Sequence, residues 1–542
     1  MRAKPVKMSG SRLFAPLIWA ILLLTAAPAI ADGDPLASLI ARARTAVSYG
    51  HAQAHAIHAT GTIDIGGLTG TVEFWTDLSN GRYAERTIAG PLGSAQGFDG
   101  VTSWHQDAKG VVLLQNAPAA TVEAANRHFE IMHTLLAPDY GGGEVSYLGA
   151  RTEGGKSYEA ITVKPQNGYP MEWWFDSATA LPARRIVTVG GSTTTEVLAD
   201  YEAVKGEMIP RSQIVERDND FTETIVLTSI DGDAADLEQH LRRPVSSPDD
   251  YSLAGGQAQV PMELVDKQLF VDILINGKGP FHFLFDSGAT NIIDPTVVYQ
   301  IGGRVIASLH TMRGAGTRVQ EMQYIQVDSI ALGAATLSKQ FFSVTQIGPR
   351  TDYIPFGNTP RREIQGLIGY EFLARFEVTV DYARSQLVLH TPQSASQPSA
   401  HLAVSSVPLL FDHTHAFVSC ALAAVRGYCL IDSGTAIGAA VTKPFIDAHP
   451  QVLPRWFTTA SAYISGIGGY SRVRVGKLAS LQLGASTISD VDAAFSLADR
   501  GALADPFFSA LVGNPILKRF TVTFDYPEAT MRLSPAADFG AR

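Results

Sequence analysis

The chain has 542 residues, 46% hydrophobic and 17% charged, a composition that fits an ordered globular protein and excludes a disordered one. Its 42 basic residues are outnumbered by 52 acidic ones, so it lacks the basic footprint of a nucleic-acid binder. The length leaves room for roughly three or four domains of ~100–200 residues.

Residues 1–31 read as an export signal. Arg2, Lys4, Lys7 and Arg12 form a positive start, Leu13 to Thr25 an apolar core broken by Pro16, and Ala29-Ile30-Ala31 a small-residue cleavage site. A membrane anchor would need ~20 unbroken apolar residues. Loss of the segment would leave 38 basic against 52 acidic residues. The expected protein is periplasmic or secreted, and soluble.

Pro35 to His55 predicts a helix, with Leu36, Ile40, Ala43 and Val47 at helical spacing. Short runs divided by Gly, Asn, Asp or Pro turns then predict strands at Thr60–Ile65, Thr71–Thr76, Arg82–Ile88, Thr102–Gln106, Glu144–Leu148, Ser157–Val163, Met171–Asp176, Pro182–Val189, Thr194–Ala203 and Thr222–Ile230. A helix at Thr121–Leu136 interrupts them, with Val122, Ala125, Phe129, Met132 and Leu136 on one face. The segment from Trp173 to Val215 carries a turn of the form Asp-X-X-Thr-X-X-Pro, then Asp-Tyr, Gly and Ile-Pro. It resembles the sheet of the LolA/LolB-like lipoprotein-carrier fold. That likeness implies an N-terminal β-rich accessory domain over residues 32–235, one curved antiparallel α+β sheet, with an apolar or envelope ligand as a possible partner. Fold does not fix function, so no ligand residue is carried over.

A polar stretch, 236–254, is expected to link this domain to a tandem repeat of units 255–391 and 402–542, themselves joined by the Pro/Ser/Gln-rich residues 392–401. Asp286-Ser287-Gly288 follows the apolar run FHFLF, and Asp432-Ser433-Gly434 follows YCLI. Leu367-Ile368-Gly369 then FEVTVDY answers the first triplet; Leu511-Val512-Gly513 then FTVTFDY answers the second. Gly-rich turns intervene in both, Gly314-Ala315-Gly316 with Leu332-Gly333 and Gly466-Ile467-Gly468-Gly469 with Leu483-Gly484. A single Asp-Ser-Gly is a common turn. Two at matching points of two repeats indicate a duplication, in which each copy presents one carboxylate across a pseudo-twofold axis.

This pattern resembles aspartic peptidases of the retropepsin/pepsin type, above all the bacterial exported retropepsin-like proteins. The resemblance covers about half of the chain. It implies a mainly β fold in which tandem lobes form a pseudo-dimer within a monomer, a catalytic pair Asp286 and Asp432, and no metal or other cofactor. Ser287, Gly288, Ser433, Gly434 and Thr435 would form the active-site loops, with flap candidates at Gly314, Gly316, Tyr463, Gly466 and Gly468. An extended peptide or protein would be the substrate. Two carboxylates about 3 Å apart share one proton, so the pair can activate water and protonate a peptide carbonyl without a metal. The chain departs from the family in using Ser rather than Thr after each Asp, in lacking a Tyr in the first flap, and in reading Thr435-Ala436 after the second triplet. Pairing of each lobe with its twin from another molecule is the competing arrangement.

Cys420 and Cys429 are the only cysteines, on two arms of a hairpin expected around Val425-Arg426-Gly427. An oxidising compartment permits a disulfide, but spacing does not establish one; two buried thiols are the alternative. His51, His55 and His58 at i, i+4 and i+7 could ligate a metal, though no acidic partner lies nearby. His413 and His415 read as loop polar groups, and Asp381 and Asp525 as outward turn residues at strand ends. Two further functions compete with peptide hydrolysis: a peptide- or lipopeptide-binding protein that keeps the fold without turnover, and a carrier whose activity lies in residues 33–235.

Overall fold

The computed structural model describes residues 34–218, 221–233, 236–312, 320–347, 363–392, 405–466 and 469–537. The export signal and the flap glycines Gly314, Gly316 and Gly468 lie outside the described residues. Strands dominate, gathered into two large sheets. Among the described residues no helix is long and apolar enough to cross a membrane.

Asp34 caps the first helix, accepting from Leu36 N at 3.0 Å, and Pro35 occupies the first turn, where its missing N–H costs nothing. The helix is Pro35–Ala46, shorter than the expected span, because the chain turns after the cap at Val47. Its buried face, Leu39, Ile40, Ala43 and Val47, packs on Ile161, Val163, Met171 and Phe175 of the sheet. Antiparallel strands run in the order Glu144–Glu153, Lys156–Lys164, Met171–Asp176, Pro182–Val189, Ser192–Val204, Glu207–Arg217, Phe221–Asp231, Ala56–Ile65, Leu68–Asp77, Tyr83–Ile88, Ser94–Phe98, Ser103–Gln106 and Val112–Gln115. Period-two burial is clear in Ala56–Ile65, where Ile57, Ala59, Ile63 and Ile65 point inward. The two-residue turn Gly66-Gly67, both at positive φ, pairs Ile65 with Leu68.

Three of these strands escape the sequence pattern: Ser94–Phe98 and Val112–Gln115 are short, and Glu207–Arg217 contains Pro210. The second helix is Pro118–Ile131, followed by a 3-10 turn at Thr134–Leu136. Its sheet-facing side is more polar than the spacing suggests. Asn126 is buried between the N–H and carbonyl of Tyr169, Arg127 pairs with Glu85, and Glu130 with Arg185.

Two similar lobes follow. In each, the strand ending at the Asp-Ser-Gly triplet lies parallel to the strand that ends at the later glycine: Lys278–Phe285 beside Gly366–Ile368, and Val425–Ile431 beside Ala510–Val512. Short helices, Pro295–Ile301 and Tyr370–Leu373 in the first lobe and Lys443–Ala448 and Asn514–Leu517 in the second, close each unit. The lobes share a six-stranded sheet ordered Gln257–Val265, Gln386–His390, Glu377–Asp381, Phe520–Asp525, Thr530–Pro535, Ser405–Pro408. Its midline is a pseudo-twofold axis, where Thr379 and Thr523, 144 residues apart, pair directly and join hydroxyls at 2.8 Å. One apolar core runs through both lobes. The fold is mainly β.

Asp381 and Asp525 do end strands, yet they are buried rather than outward-facing. Each accepts the backbone N–H three residues on, from Arg384 and Glu528, and each pairs with an arginine, Arg384 and Arg532. The hairpin carrying the cysteines turns at Ala423-Ala424, both at positive φ, not at Val425–Gly427. Cys420 and Cys429 form a disulfide with Cα atoms 5.9 Å apart.

Candidate active site

Each triplet is fixed first by its own lobe. Asp286 N donates to Ile368 O at 2.8 Å and Asp432 N to Val512 O at 3.0 Å; Ala289 N and Thr435 N return to the aspartate carbonyls at 3.2 Å, closing both loops as turns. Tyr370 N then holds Ala289 O at 3.0 Å, and Asn514 N holds Thr435 O at 3.2 Å. A side chain on Gly369 would overlap the Asp286 carbonyl, and one on Gly513 would overlap Thr435, which explains the glycine in each repeat.

The two loops are then locked to each other by their serines. Ser287 Oγ donates to Ile431 O at 2.8 Å and accepts from Ser433 N at 3.0 Å; Ser433 Oγ donates to Phe285 O at 2.7 Å and accepts from Ser287 N at 2.9 Å. Both residues are buried. A hydroxyl is the one small group that donates and accepts at once, so Ser meets the requirement that Thr would.

Asp286 Oδ1 accepts from Gly288 N, and Asp432 Oδ1 from Gly434 N, each at 2.9 Å. The glycines lie between the carboxylates. A Cβ on Gly288 would stand 3.4 Å from both Asp286 Oδ1 and Asp432 Oδ1, so the two carboxylates converge on one point. A Cβ on Gly434 would overlap the Asp286 carboxylate. The two carboxylates thus face one small volume, each with its own loop's N–H on Oδ1.

Residues that the sequence pattern did not single out complete the support. Asn514 donates to Ser433 O at 2.5 Å and accepts from the Tyr382 hydroxyl at 2.7 Å, while the Tyr526 hydroxyl lies 3.5 Å from Ser287 O. Burial, then the Asp286 charge, holds the Tyr526 phenol well above its ordinary pKa. The two tyrosines end the FEVTVDY and FTVTFDY strands, so their recurrence was the available signal. Gln268 opens its strand after the turn Asp266-Lys267 and donates to Gly434 O at 3.2 Å. His415 opens the corresponding strand of the other lobe after the turn His413-Thr414. The protein surrounding the His415 imidazole lowers its pKa, while the charges of Asp412 and Asp286 act the other way. His415 itself is exposed, a polar group at the edge of its turn, in keeping with the sequence reading.

Tyr463 and Gly466 lie on the strand Phe457–Gly466, which pairs with Gly469–Leu483 as a long hairpin of the second lobe. Tyr463 is exposed, with its ring 6.5 Å from that of Tyr470. The histidines near residue 55 are not brought onto one helical face. The first helix ends before them, and His58 bonds to Glu73 and stacks on Trp75.

A model of the aspartyl protease family matches residues 271–372, which include Asp286 and Gly369. No curated protein matches the chain. Solved structures similar to part of it include a DUF1329 family protein from Desulfovibrio piger, at 14% identity over 37% of this chain and 93% of that one, with a TM-score of 0.28. A putative outer membrane lipoprotein-sorting protein domain from Vibrio parahaemolyticus is 11% identical over 35% of this chain and 89% of that one, with a TM-score of 0.26. A LolA superfamily protein from Nitrosomonas europaea is 11% identical over 37% of this chain and 94% of that one, with a TM-score of 0.27.

Proposed function

We propose that the protein is an exported aspartic endopeptidase, with Asp286 and Asp432 as its catalytic pair. The observation that carries this reading is the reciprocal serine lock, which brings two carboxylates from two lobes toward a common point. The aspartyl protease match over residues 271–372 supports the same chemistry in the first lobe.

In the proposed reaction the pair holds one proton and a water. The ionised carboxylate takes a proton from the water as its oxygen attacks the peptide carbonyl carbon. The protonated carboxyl gives its proton to the carbonyl oxygen, producing a neutral tetrahedral gem-diol. A proton then passes from the first carboxyl to the amide nitrogen, the second carboxylate recovers one from the diol, and the C–N bond breaks to acid and amine. The substrate would lie extended, bonded as an added strand along the hairpin that carries Tyr463 and Tyr470. Export is supported by the signal-like residues 1–31 and by the Cys420–Cys429 disulfide, a bond that persists in oxidising compartments.

The test is cleavage of a denatured protein at acid pH by the purified mature chain. Wild type is expected to cut and to be inhibited by a statine-type peptide, while Asp286→Asn and Asp432→Asn each lose activity by roughly 10³-fold or more. A wild type as inert as both variants, but still binding the statine peptide, would replace the enzyme by a peptide-binding protein.

A further inference from the structure

We propose that the N-terminal unit is a permanent third support of the candidate active site, with Asp107 acting as a positioning residue for the first lobe's catalytic loop. The inference rests on the peptidase reading for its kinetic readout alone; its structural readout is independent.

The hairpin formed by Ser103–Gln106 and Val112–Gln115 is wedged against both lobes. Val111 and Leu113, 2% and 4% exposed, belong to the same apolar core as Tyr370 of the first lobe and Phe411 and Tyr526 of the second. On the second lobe, Gln115 pairs with Phe411 as a parallel bridge, its Oε1 accepts from His413 N at 2.5 Å, and its Nε2 donates to His413 O at 3.2 Å. Asn116 N and Ala117 N both donate to Phe411 O at 3.0 Å, Asn116 Oδ1 accepts from Phe411 N, and the His105 ring meets the edge of His413. That turn leads directly into His415.

On the first lobe the contact is Asp107. Its Oδ1 accepts from Lys109 N and Val111 N in its own turn, which fixes the carboxylate and aims Oδ2 outward. Oδ2 accepts from the Tyr370 hydroxyl at 3.0 Å and lies 3.6 Å from Nη2 of Arg375. Arg375 is 1% exposed and is held in bidentate fashion by Asp250 at 2.7 Å. Tyr370 N holds Ala289 O, and Ala289 N holds Asp286 O, so three hydrogen bonds connect Asp107 to the backbone of Asp286.

The second lobe shows why this matters. There the position after the glycine is Asn514, whose amide satisfies Ser433 O from within the lobe pair. In the first lobe that position is Tyr370, 4% exposed, whose phenol reaches for an acceptor the lobes do not supply. Removing Asp107 leaves a buried hydroxyl unpaired and frees the helix that backs the catalytic turn.

The experiment compares Asp107→Ala, Tyr370→Phe, the double variant and Asp107→Asn, in the full mature chain. Amide hydrogen exchange of Ser287–Asn291 is expected to rise in Asp107→Ala and Tyr370→Phe, whether or not the protein turns over. If it turns over, kcat should fall by about tenfold in each single variant, with KM little changed, as expected for a mispositioned reacting group. The double variant should fall no further, because both substitutions break one link. Asp107→Asn, which retains an acceptor, should recover most of kcat. Unchanged exchange in the catalytic turn, or losses that multiply in the double variant, would overturn the proposal. Should Asp107→Ala fail to fold, Tyr370→Phe against Asp107→Asn supplies the same comparison. An inert wild type whose exchange still responds would reject the peptidase reading and leave this link standing.

Discussion

The paired Asp286 and Asp432 were legible from sequence because the same triplet recurs in the same surroundings, and duplication converts a weak motif into a strong one. Their supporting residues were not legible, because Asn514, Tyr370 and Asp107 act through partners far away in the chain, which no local period reports. Glu371 is a further example and has a measurable consequence. Burial pushes its pKa up to about 7, with the N–H of Asn291 pulling the other way, and its Oε2 is a buried acceptor that finds no hydrogen-bond partner among the described residues. The fold therefore favours the protonated carboxyl. Between the ordinary value of 4.5 and about 7 the native state binds more protons than the unfolded state, so this group makes stability fall as pH rises through that window. Glu371→Gln should match wild type in stability below pH ~4.5 and exceed it by about 1–3 kcal/mol above pH ~7. Denaturant titrations at the two ends of the range would measure it; an equal difference at both ends would assign the change to packing instead.

At the scale of elements, alternation and glycine turns foretold most strands, and the Asp-to-Pro turn at Asp176–Pro182 forms through the side chain of Asp176, which accepts from Ala178 N and Thr179 N. Failures came where register and pairing overrode composition. Pro210 sits within a paired strand, and Ala423-Ala424 makes a two-residue turn without Gly, Asn or Asp because the flanking strands are held by other contacts. The joint between the two Asp-Ser-Gly turns is a demanding pairing. Each serine hydroxyl satisfies one carbonyl and one N–H of the opposite lobe, and both serines are buried. Ser287→Ala or Ser433→Ala orphans two buried backbone groups, at about 1–3 kcal/mol for each group. Thermal unfolding should show comparable losses for the two variants, and the symmetry of the contacts predicts a double variant that loses less than twice the single effect if the lobes separate after the first break. A loss in one variant alone would mean that the lock is carried from one side.

At the scale of the whole molecule, the sequence divides into an N-terminal unit, a polar connector and a pair of lobes, and the connector's composition suggests a tether. Its residues instead hold fixed contacts. Ser246 Oγ accepts from Val112 N, Ser247 N donates to Gly110 O, and Asp250 grips the buried Arg375. The Gly190-Gly191 turn of the unit also meets the second lobe, where a Cβ on Gly191 would overlap the Asp499 carbonyl and one on Gly190 would stand 3.3 Å from the Ala504 carbonyl. Tyr324, on the first-lobe strand Gln320–Leu332, packs against the apolar cluster around Ile57 and Val72. Contacts of this kind, made at several separate places, resist the hinge motion expected of domains joined by a tether. A site for a specific protease inserted between Arg242 and Val245, where the side chain of Val245 is exposed, tests the point. After cutting, the two fragments should co-elute on gel filtration and unfold in a single transition, because the buried hairpin holds them without the covalent link. Separation of the fragments under native conditions would show that the connector, rather than the wedge, keeps the unit in its seat.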